Sequence, residues 1–296
     1  MAEQNQDLFG KKIFFLNPNY TFKTQVISEL RMLEYEVYII DNYRDAKNIL
    51  RKNPNSICFV NIDSQLSTYG WYIFFSEFEK EDLLKGTVIG IISDRLTPIE
   101  KTFFLDKINP KAGVMEASAD SKKIVANIED ILKINNAKGR RQYVRANCLS
   151  DKNSMLIFND GNLINQLKLV DISHMSAATL APAIRNTNLE KNTLIRGATL
   201  KLGSKQYIIN FIVYDIHTRG DKELLITLFT PETVSGLKEP IMDYVFETLQ
   251  THLAASINGE RRDETNYNQQ GKAFAEAMKK EAAQQKKENE AKSKSK

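Results

Sequence analysis

Short apolar runs alternate with amphipathic segments from Ile13 to Ile134. Residues 13–16 (Ile-Phe-Phe-Leu) are closed by Asn17-Pro18-Asn19, which reads as a strand ending in a turn. Val26, Ile27, Leu30 and Leu33 then recur at helical spacing. Residues 37–40 form a second apolar run, Ala46, Ile49 and Leu50 mark a shorter helix, and residues 57–60 form a third run. An aromatic-rich helix over 71–78 precedes a fourth strand at 88–92. Pro98 opens the next helix, which carries Phe103, Phe104 and Leu105. Residues 113–115 form a short fifth strand, and Ile124, Val125, Ile128, Ile131 and Leu132 line a final amphipathic helix. Five strands alternating with five helices predict an α/β doubly wound parallel five-stranded sheet, covered on both faces. Ligands of such sheets collect at the carboxyl ends of strands. Asn17, Pro18, Asn61, Ser93 and the residues after Met115 are therefore the positions to inspect.

The texture changes after Asn135-Asn136-Ala137-Lys138-Gly139, a polar linker that predicts a domain boundary. Short β-rich runs at 155–158, 167–172, 199–202, 207–214 and 224–229 are separated by Asp160-Gly161, Gly197, Gly203-Ser204 and Arg219-Gly220-Asp221. Strands at this spacing predict a small antiparallel β-barrel. A closing helix is expected over 240–253, with Ile241, Tyr244, Val245, Thr248 and Leu249 on one face. The expected division is an α/β domain over 11–136, a barrel over 137–258, and a charged helical or disordered tail over 259–296. Phe274 and Met278 are the tail's only large apolar residues beyond Tyr267, so a helix over 271–290 is expected to bury almost nothing.

Charge narrows the function classes. The chain carries +4, and the residues from Glu260 onward account for +3 of it, leaving the rest of the chain at +1. A nearly neutral body argues against a broad nucleic-acid-binding face. The longest aliphatic run, 88–92, is far too short to span a bilayer. The opening Met-Ala-Glu-Gln-Asn-Gln-Asp lacks a charged start followed by an apolar block, and position 2 is Ala rather than Gly, so neither a signal peptide nor myristoylation is expected. The expectation is a cytoplasmic protein. Cys58 and Cys148 are the only cysteines, too few for a disulfide framework and each set in a strand-like run, which predicts small buried hydrophobes. The three histidines form no Cys/His cluster, so no metal site is expected. No phosphate-binding loop, dinucleotide fingerprint or Ser-His-Asp order is present, so no catalytic residue or cofactor is assigned.

Over residues 11–134 the order and length of the elements resemble the receiver domain of response regulators. In that family an acidic pair after the first strand holds magnesium, a phospho-accepting Asp ends the third strand, a Thr or Ser ends the fourth and a Lys ends the fifth. Here the acidic pair falls on Asn17-Pro18, the acceptor on Asn61, the hydroxyl on Ser93 and the Lys near Glu116. Magnesium requires hard anionic oxygens, which Asn-Pro does not supply, and an amide is no nucleophile for phosphoryl transfer. The resemblance therefore implies a pseudo-receiver that serves as a binding or dimerisation module, with Asp63, two positions past the acceptor, as the one unconventional alternative.

The second half carries a rarer combination. Arg141-x-x-x-Arg145 opens the barrel region, and Asp171-Ile172-Ser173-His174-Met175-Ser176 directly follows the strand expected over 167–170. This joint pattern resembles the PilZ domain, the bacterial receptor for cyclic di-GMP, over residues 138–256. The family motif is Arg-x-x-x-Arg followed by Asp/Asn-x-Ser-x-x-Gly. Arg141, Arg145, Asp171 and Ser173 match it, and Ser176 stands where Gly is expected. The chemistry suits the ligand. Guanidinium groups fork onto phosphate oxygens and stack on purines, guanine N7 and O6 accept a bidentate Arg, and a carboxylate accepts from guanine N1–H and N2–H. Ser173 can donate a hydrogen bond or shape the strand-end turn. The resemblance adds Lys138 and Arg140 in the linker as further contacts. Gly at position 176 would permit φ > 0 or close ligand approach, and Ser176 would reach that conformation only at a cost. His174 is expected as a surface or turn residue, and Arg185 and Arg196 as solvated loop charges.

The expected function is a cyclic di-GMP-binding signalling adaptor. It would change interdomain or partner contacts on ligand binding and regulate motility or surface behaviour, through an unidentified signalling or motility protein and without specific nucleic-acid binding. The alternative is a ligand-independent interaction scaffold with a degenerate site.

Overall fold

A computed structural model describes residues 10–161, 163–182, 189–219 and 222–294. The chain forms two compact units. Among the described residues, one comprises 10–30, 36–139 and 256–294, the other 31–35 and those from 140 to 255.

The first unit is built on five parallel strands, β1 (Ile13–Leu16), β2 (Val37–Ile40), β3 (Ile57–Asn61), β4 (Val88–Ile92) and β5 (Val114–Met115). Their order is β2-β1-β3-β4-β5, the doubly wound arrangement in which the chain reverses direction between β1 and β3. β1, β3 and β4 are buried at every position, as strands covered on both faces must be. A π-helical stretch, Phe22–Ile27, runs into α1 (Ser28–Met32). The helices α2 (Tyr43–Arg51), α3 (Thr68–Ser76), α4 (Asp82–Lys85), α5 (Pro98–Lys107) and α6 (Ser121–Ile134) follow in alternation. Local chemistry sets their starts. Asn42, Ser67 and Asp120 accept from backbone N–H groups of the first turns, and Thr97 and Glu100 form a reciprocal capping box that spans Pro98.

The second unit is an antiparallel barrel. β7 (Met155–Asn159), β8 (Ile164–Ile172), β9 (Ser176–Pro182), β10 (Leu194–Leu202), β11 (Lys205–Arg219) and β12 (Lys222–Phe229) pair in the order β8-β7-β10-β11-β12-β9, and β9 pairs back onto β8 to close the ring. The short strand β6 (Ala146–Asn147) pairs with the end of β8. Leu156, Phe158, Leu169, Leu200, Phe211 and Leu225 fill the interior. Ile241, Met242, Val245 and Phe246 of α7 (Pro231–Ser256) pack onto the same core. This helix begins at Pro231 rather than at Pro240, where the sequence suggests. Pro240 lies inside it, where the hydrogen bond that proline cannot make falls to the carbonyl of the exposed Gly236.

The C-terminal segment departs from the solvated tail expected. α8 (Tyr267–Lys294) belongs to the first unit, and Tyr267 is fully buried. Its ring stands edge-on to Tyr43 and Phe74, 6.0 and 5.5 Å away between centroids. Its hydroxyl bonds to Lys47, Glu77 and Asp263. Phe274 packs against Tyr69, Tyr72 and Phe103. Tyr267, Gly271 and Phe274 fall at i, i+4 and i+7, one stripe of the helix.

Both cysteines are fully buried. Burial pushes the Cys58 thiol up to about 12 and the Cys148 thiol up to about 11. Neither thiol is expected to react with a thiol-specific reagent at pH 8 while the protein is folded, and both should react in guanidinium. Titrating thiols under the two conditions checks this.

Candidate functional site

In the second unit β6 is short but decisive. It pairs antiparallel with the end of β8, Ala146 opposite Ile172 and Asn147 opposite Asp171. This brings Arg145, which immediately precedes β6, to Asp171: Arg145 Nη1 donates to Asp171 Oδ1 at 3.4 Å. The two side chains are 36% and 33% exposed, so their mutual attraction is worth little, about 0–1 kcal/mol. Each is cheap to redirect toward a ligand.

The outward position of Asp171 has a cause in the strand. Asn165, Leu167 and Leu169 are buried alternately along β8. The β8–β9 register slips between Leu169 and Asp171, a bulge with Val170 as the extra residue. The alternation flips there: Asp171 is half-exposed and Ile172 takes the interior position. Without the bulge a carboxylate would point into an apolar core.

Beyond Ile172 the chain turns at once into β9. The Ser173 N–H donates to the Ser176 carbonyl at 2.8 Å, and Ser173 Oγ accepts from Ser176 N at 3.2 Å and from Met175 N at 3.4 Å. The Ser173 and Ser176 hydroxyls share a 3.0 Å hydrogen bond. Both residues are buried, Ser173 completely. Of the two roles foreseen for Ser173, the structure shows the turn. Ser176 does not pay the backbone cost expected of it, because it is not among the residues with positive φ. It starts β9 opposite Leu228. Its departure from Gly acts through the hydroxyl, which engages Ser173.

His174 is a turn residue but not a surface one: it is 4% exposed, edge-on to the Tyr143 ring at 5.0 Å. Arg140 and Arg141 are exposed a short way upstream of Arg145, and Lys138 is exposed in the linker. Arg196 lies on β10 rather than in a loop and is exposed. Arg185 lies outside the described residues.

At the carboxyl ends of the first unit's strands the side chains satisfy one another. Asn17, at φ 55°, donates through Nδ2 to the Asn61 carbonyl at 3.1 Å and to Ser64 Oγ at 2.7 Å. Asn61 ends β3 and accepts from the Asp63 N–H at 2.9 Å. The Asp63 carboxylate accepts from the Ser93 hydroxyl and, at 2.9 Å, from the Asp94 N–H. Arg95 Nη1 donates to the Asp63 carbonyl at 2.9 Å. An open cleft nearby is lined by Asn19, Gln25, Asp94, Ser118, Asp120 and Lys122. It is remote in sequence from the arginine motif. No group of three or more His, Cys, Asp or Glu side chains that could hold a metal ion is found among the described residues. No helix among them is long and apolar enough to cross a membrane.

No family model matches the sequence, and no curated protein does. Solved structures do show similarity. A PilZ domain of YcgR from Escherichia coli, determined with c-di-GMP, is 16% identical, with a TM-score of 0.33 over 38% of this chain and 97% of its own. A response regulator from Desulfuromonas acetoxidans is 16% identical, with a TM-score of 0.36 over 42% of this chain and 98% of its own. The Bacillus subtilis inhibitor of motility MotI/DgrA is 16% identical, with a TM-score of 0.31, and the match spans 38% of this chain and about half, 52%, of that protein. Strand order and barrel closure carry the architecture by themselves: a doubly wound parallel sheet in one unit and a closed antiparallel barrel with its closing helix in the other.

Proposed function

We propose that this chain is a cyclic di-GMP-binding signalling adaptor, with Arg141, Arg145 and Asp171 as the primary contacts and Lys138 and Arg140 as linker contacts. The observation that carries this reading is the β6–β8 pairing, which sets a guanidinium and a carboxylate side by side and half-exposed. Guanidinium groups meet the phosphates and the guanine Hoogsteen edge. Asp171 accepts from guanine N1–H and N2–H, groups that adenine does not present in the same pattern. Ser173 and Ser176 shape the turn from which Asp171 is presented and make no direct contact in this reading. Ligand binding then shifts the population toward one arrangement of the arginine segment, and a signalling or motility protein reads the change. The chemistry is recognition, and no catalytic step is assigned.

The test is equilibrium binding of cyclic di-GMP beside cyclic di-AMP. The guanine ligand is expected to bind saturably and the adenine one at least tenfold more weakly, since an unmatched polar edge leaves groups unpaired in the complex. A second reading, a ligand-independent scaffold, draws on Ser176, whose hydroxyl occupies the place of a missing side chain in the motif. Failure of both dinucleotides to bind would favour it.

The receiver-like unit is proposed to act without phosphorylation. Asn61 offers no carboxylate at the strand end, and Asp63 is engaged by Ser93 and Asp94. Incubation with acetyl phosphate and magnesium is expected to leave the intact mass unchanged. A gain of one phosphoryl group, abolished by Asp63→Asn, would contradict this.

A further inference from the structure

Glu34 holds an unusual position. Its backbone lies at φ 64°, a region that residues bearing a Cβ rarely adopt. Such an outlier persists only where its surroundings over-determine it. Residues 31–35 belong to the second unit. Arg31 lies over the Phe246 ring at 4.8 Å, and Met32 packs on the barrel core. The Glu34 side chain, 11% exposed, reaches two points at once. Oε2 accepts from the Val144 N–H at 2.8 Å. Oε1 lies 2.9 Å from His174 Nδ1, in ion-pair range though off hydrogen-bond geometry.

Val144 lies between the two motif arginines, and His174 lies in the turn that follows Asp171. The edge contact between Tyr143 and His174 adds a second tie across the same pair of segments. One carboxylate therefore bridges the two halves of the dinucleotide motif from a third segment, far upstream of both in the chain.

We propose that Glu34 is a positioning residue for the cyclic dinucleotide site: it clasps the backbone at Val144 to the Ser173–Ser176 turn and so pre-sets the segment that carries Arg141 and Arg145. The role toward ligand rests on the function proposed above; the clasp itself does not. β6 alone fixes the chain only from Ala146 onward. Upstream of it the Val144 N–H is held by Glu34, and a segment ordered before binding loses less freedom on binding.

The experiment compares wild type, Glu34→Ala and Glu34→Gln by two measurements on the full chain. Gln keeps an oxygen that accepts from Val144, so it serves as the rescue variant. Amide exchange across residues 141–145 of ligand-free protein is expected to quicken at least tenfold in Glu34→Ala and less than threefold in Glu34→Gln. Cyclic di-GMP affinity is expected to fall at least fivefold in the Ala variant and less than twofold in the Gln variant, measured well below the melting temperature of each. Unchanged exchange in Glu34→Ala would overturn the clasp. Faster exchange with unchanged affinity would overturn its positioning role. Absence of binding by wild type would overturn the function and the role toward ligand together, while exchange would still decide the clasp.

Discussion

Gly271→Ala lowers stability, although the position is the interior of a helix where alanine is the better residue. On propensity alone the exchange would stabilise by about 0.5–1 kcal/mol. Packing reverses the sign. A Cβ on Gly271 would stand 2.4 Å from Gly70 N, 2.6 Å from the Tyr69 carbonyl carbon and 2.9 Å from Gly70 Cα. These are backbone atoms of α3 and cannot swing aside, so α8 must withdraw along the whole crossing. Withdrawal loosens Tyr267 and Phe274 from their aromatic neighbours. It also draws the Tyr267 hydroxyl away from Lys47, which is 5% exposed. The expected cost is about 2–4 kcal/mol, between ordinary overpacking and loss of a buried aromatic side chain. Gly236→Ala is the control. It lies in α7 with nothing within 4 Å of the added carbon, and it is expected to stabilise by about 0.5–1 kcal/mol. Melting temperatures of the two variants, moving in opposite directions, check the packing account.

The same anchor responds to acid. Burial opposes ionisation of Asp263, but hydrogen bonds from Tyr267 and Thr265 outweigh it and hold its pKa below the ordinary value. A depressed carboxyl contributes stability above its unfolded pKa, about 3.9, and loses it as the pH falls through the folded value. Docking of α8 should therefore persist at neutral pH and weaken only in strong acid.

Much of this was legible in the sequence, and what was not has physical reasons. The parallel sheet could be read because strands buried on both faces are continuous apolar runs. β9 could not be read that way. Its Ser-Ala-Ala-Thr-Leu-Ala-Pro carries little of the β-branched and aromatic character that marks strands, and it is a strand because β8 and β12 flank it. β6 is too short to have a pattern to read. The α8 anchor was present as Tyr267, Gly271 and Phe274 at helical spacing, but a glycine counts as a gap in an apolar stripe until its partner, Gly70, is known. At the candidate site the arginines, Asp171 and Ser173 stood out as a motif. The bulge at Val170 left a faint trace, since Leu167 and Leu169 predict an apolar residue at 171 and the sequence has Asp171 followed by Ile172. Glu34 left none, because both its contacts, Val144 and His174, lie in distant parts of the chain.

Replacing Arg141 and Arg145 together by Ala is expected to reduce cyclic di-GMP affinity at least a hundredfold. Each charge-assisted hydrogen bond contributes roughly 1.5–3 kcal/mol, and tenfold in affinity corresponds to about 1.4 kcal/mol. Stability should barely change, because Arg141 is exposed and the Arg145–Asp171 pair is half-exposed and weak. Lys at both positions should recover only part of the loss, since an ammonium keeps the charge but neither forks onto a phosphate nor reads guanine N7 and O6 together. Arg196→Ala, an exposed arginine on β10 outside the motif, should bind as wild type does. This set separates a specific site from general attraction to a dianion, which would weaken in proportion to charge wherever it was removed.

Whether these arginines bind cyclic di-GMP is decided by a calorimetric titration of wild type and the Arg141→Ala, Arg145→Ala variant, at matched ionic strength. Saturable binding at micromolar ligand or tighter is expected for wild type, and none for a variant that melts at the same temperature. Equal affinity in the two proteins, or neither heat nor thermal shift from wild type, would rule out a cyclic di-GMP site at these arginines.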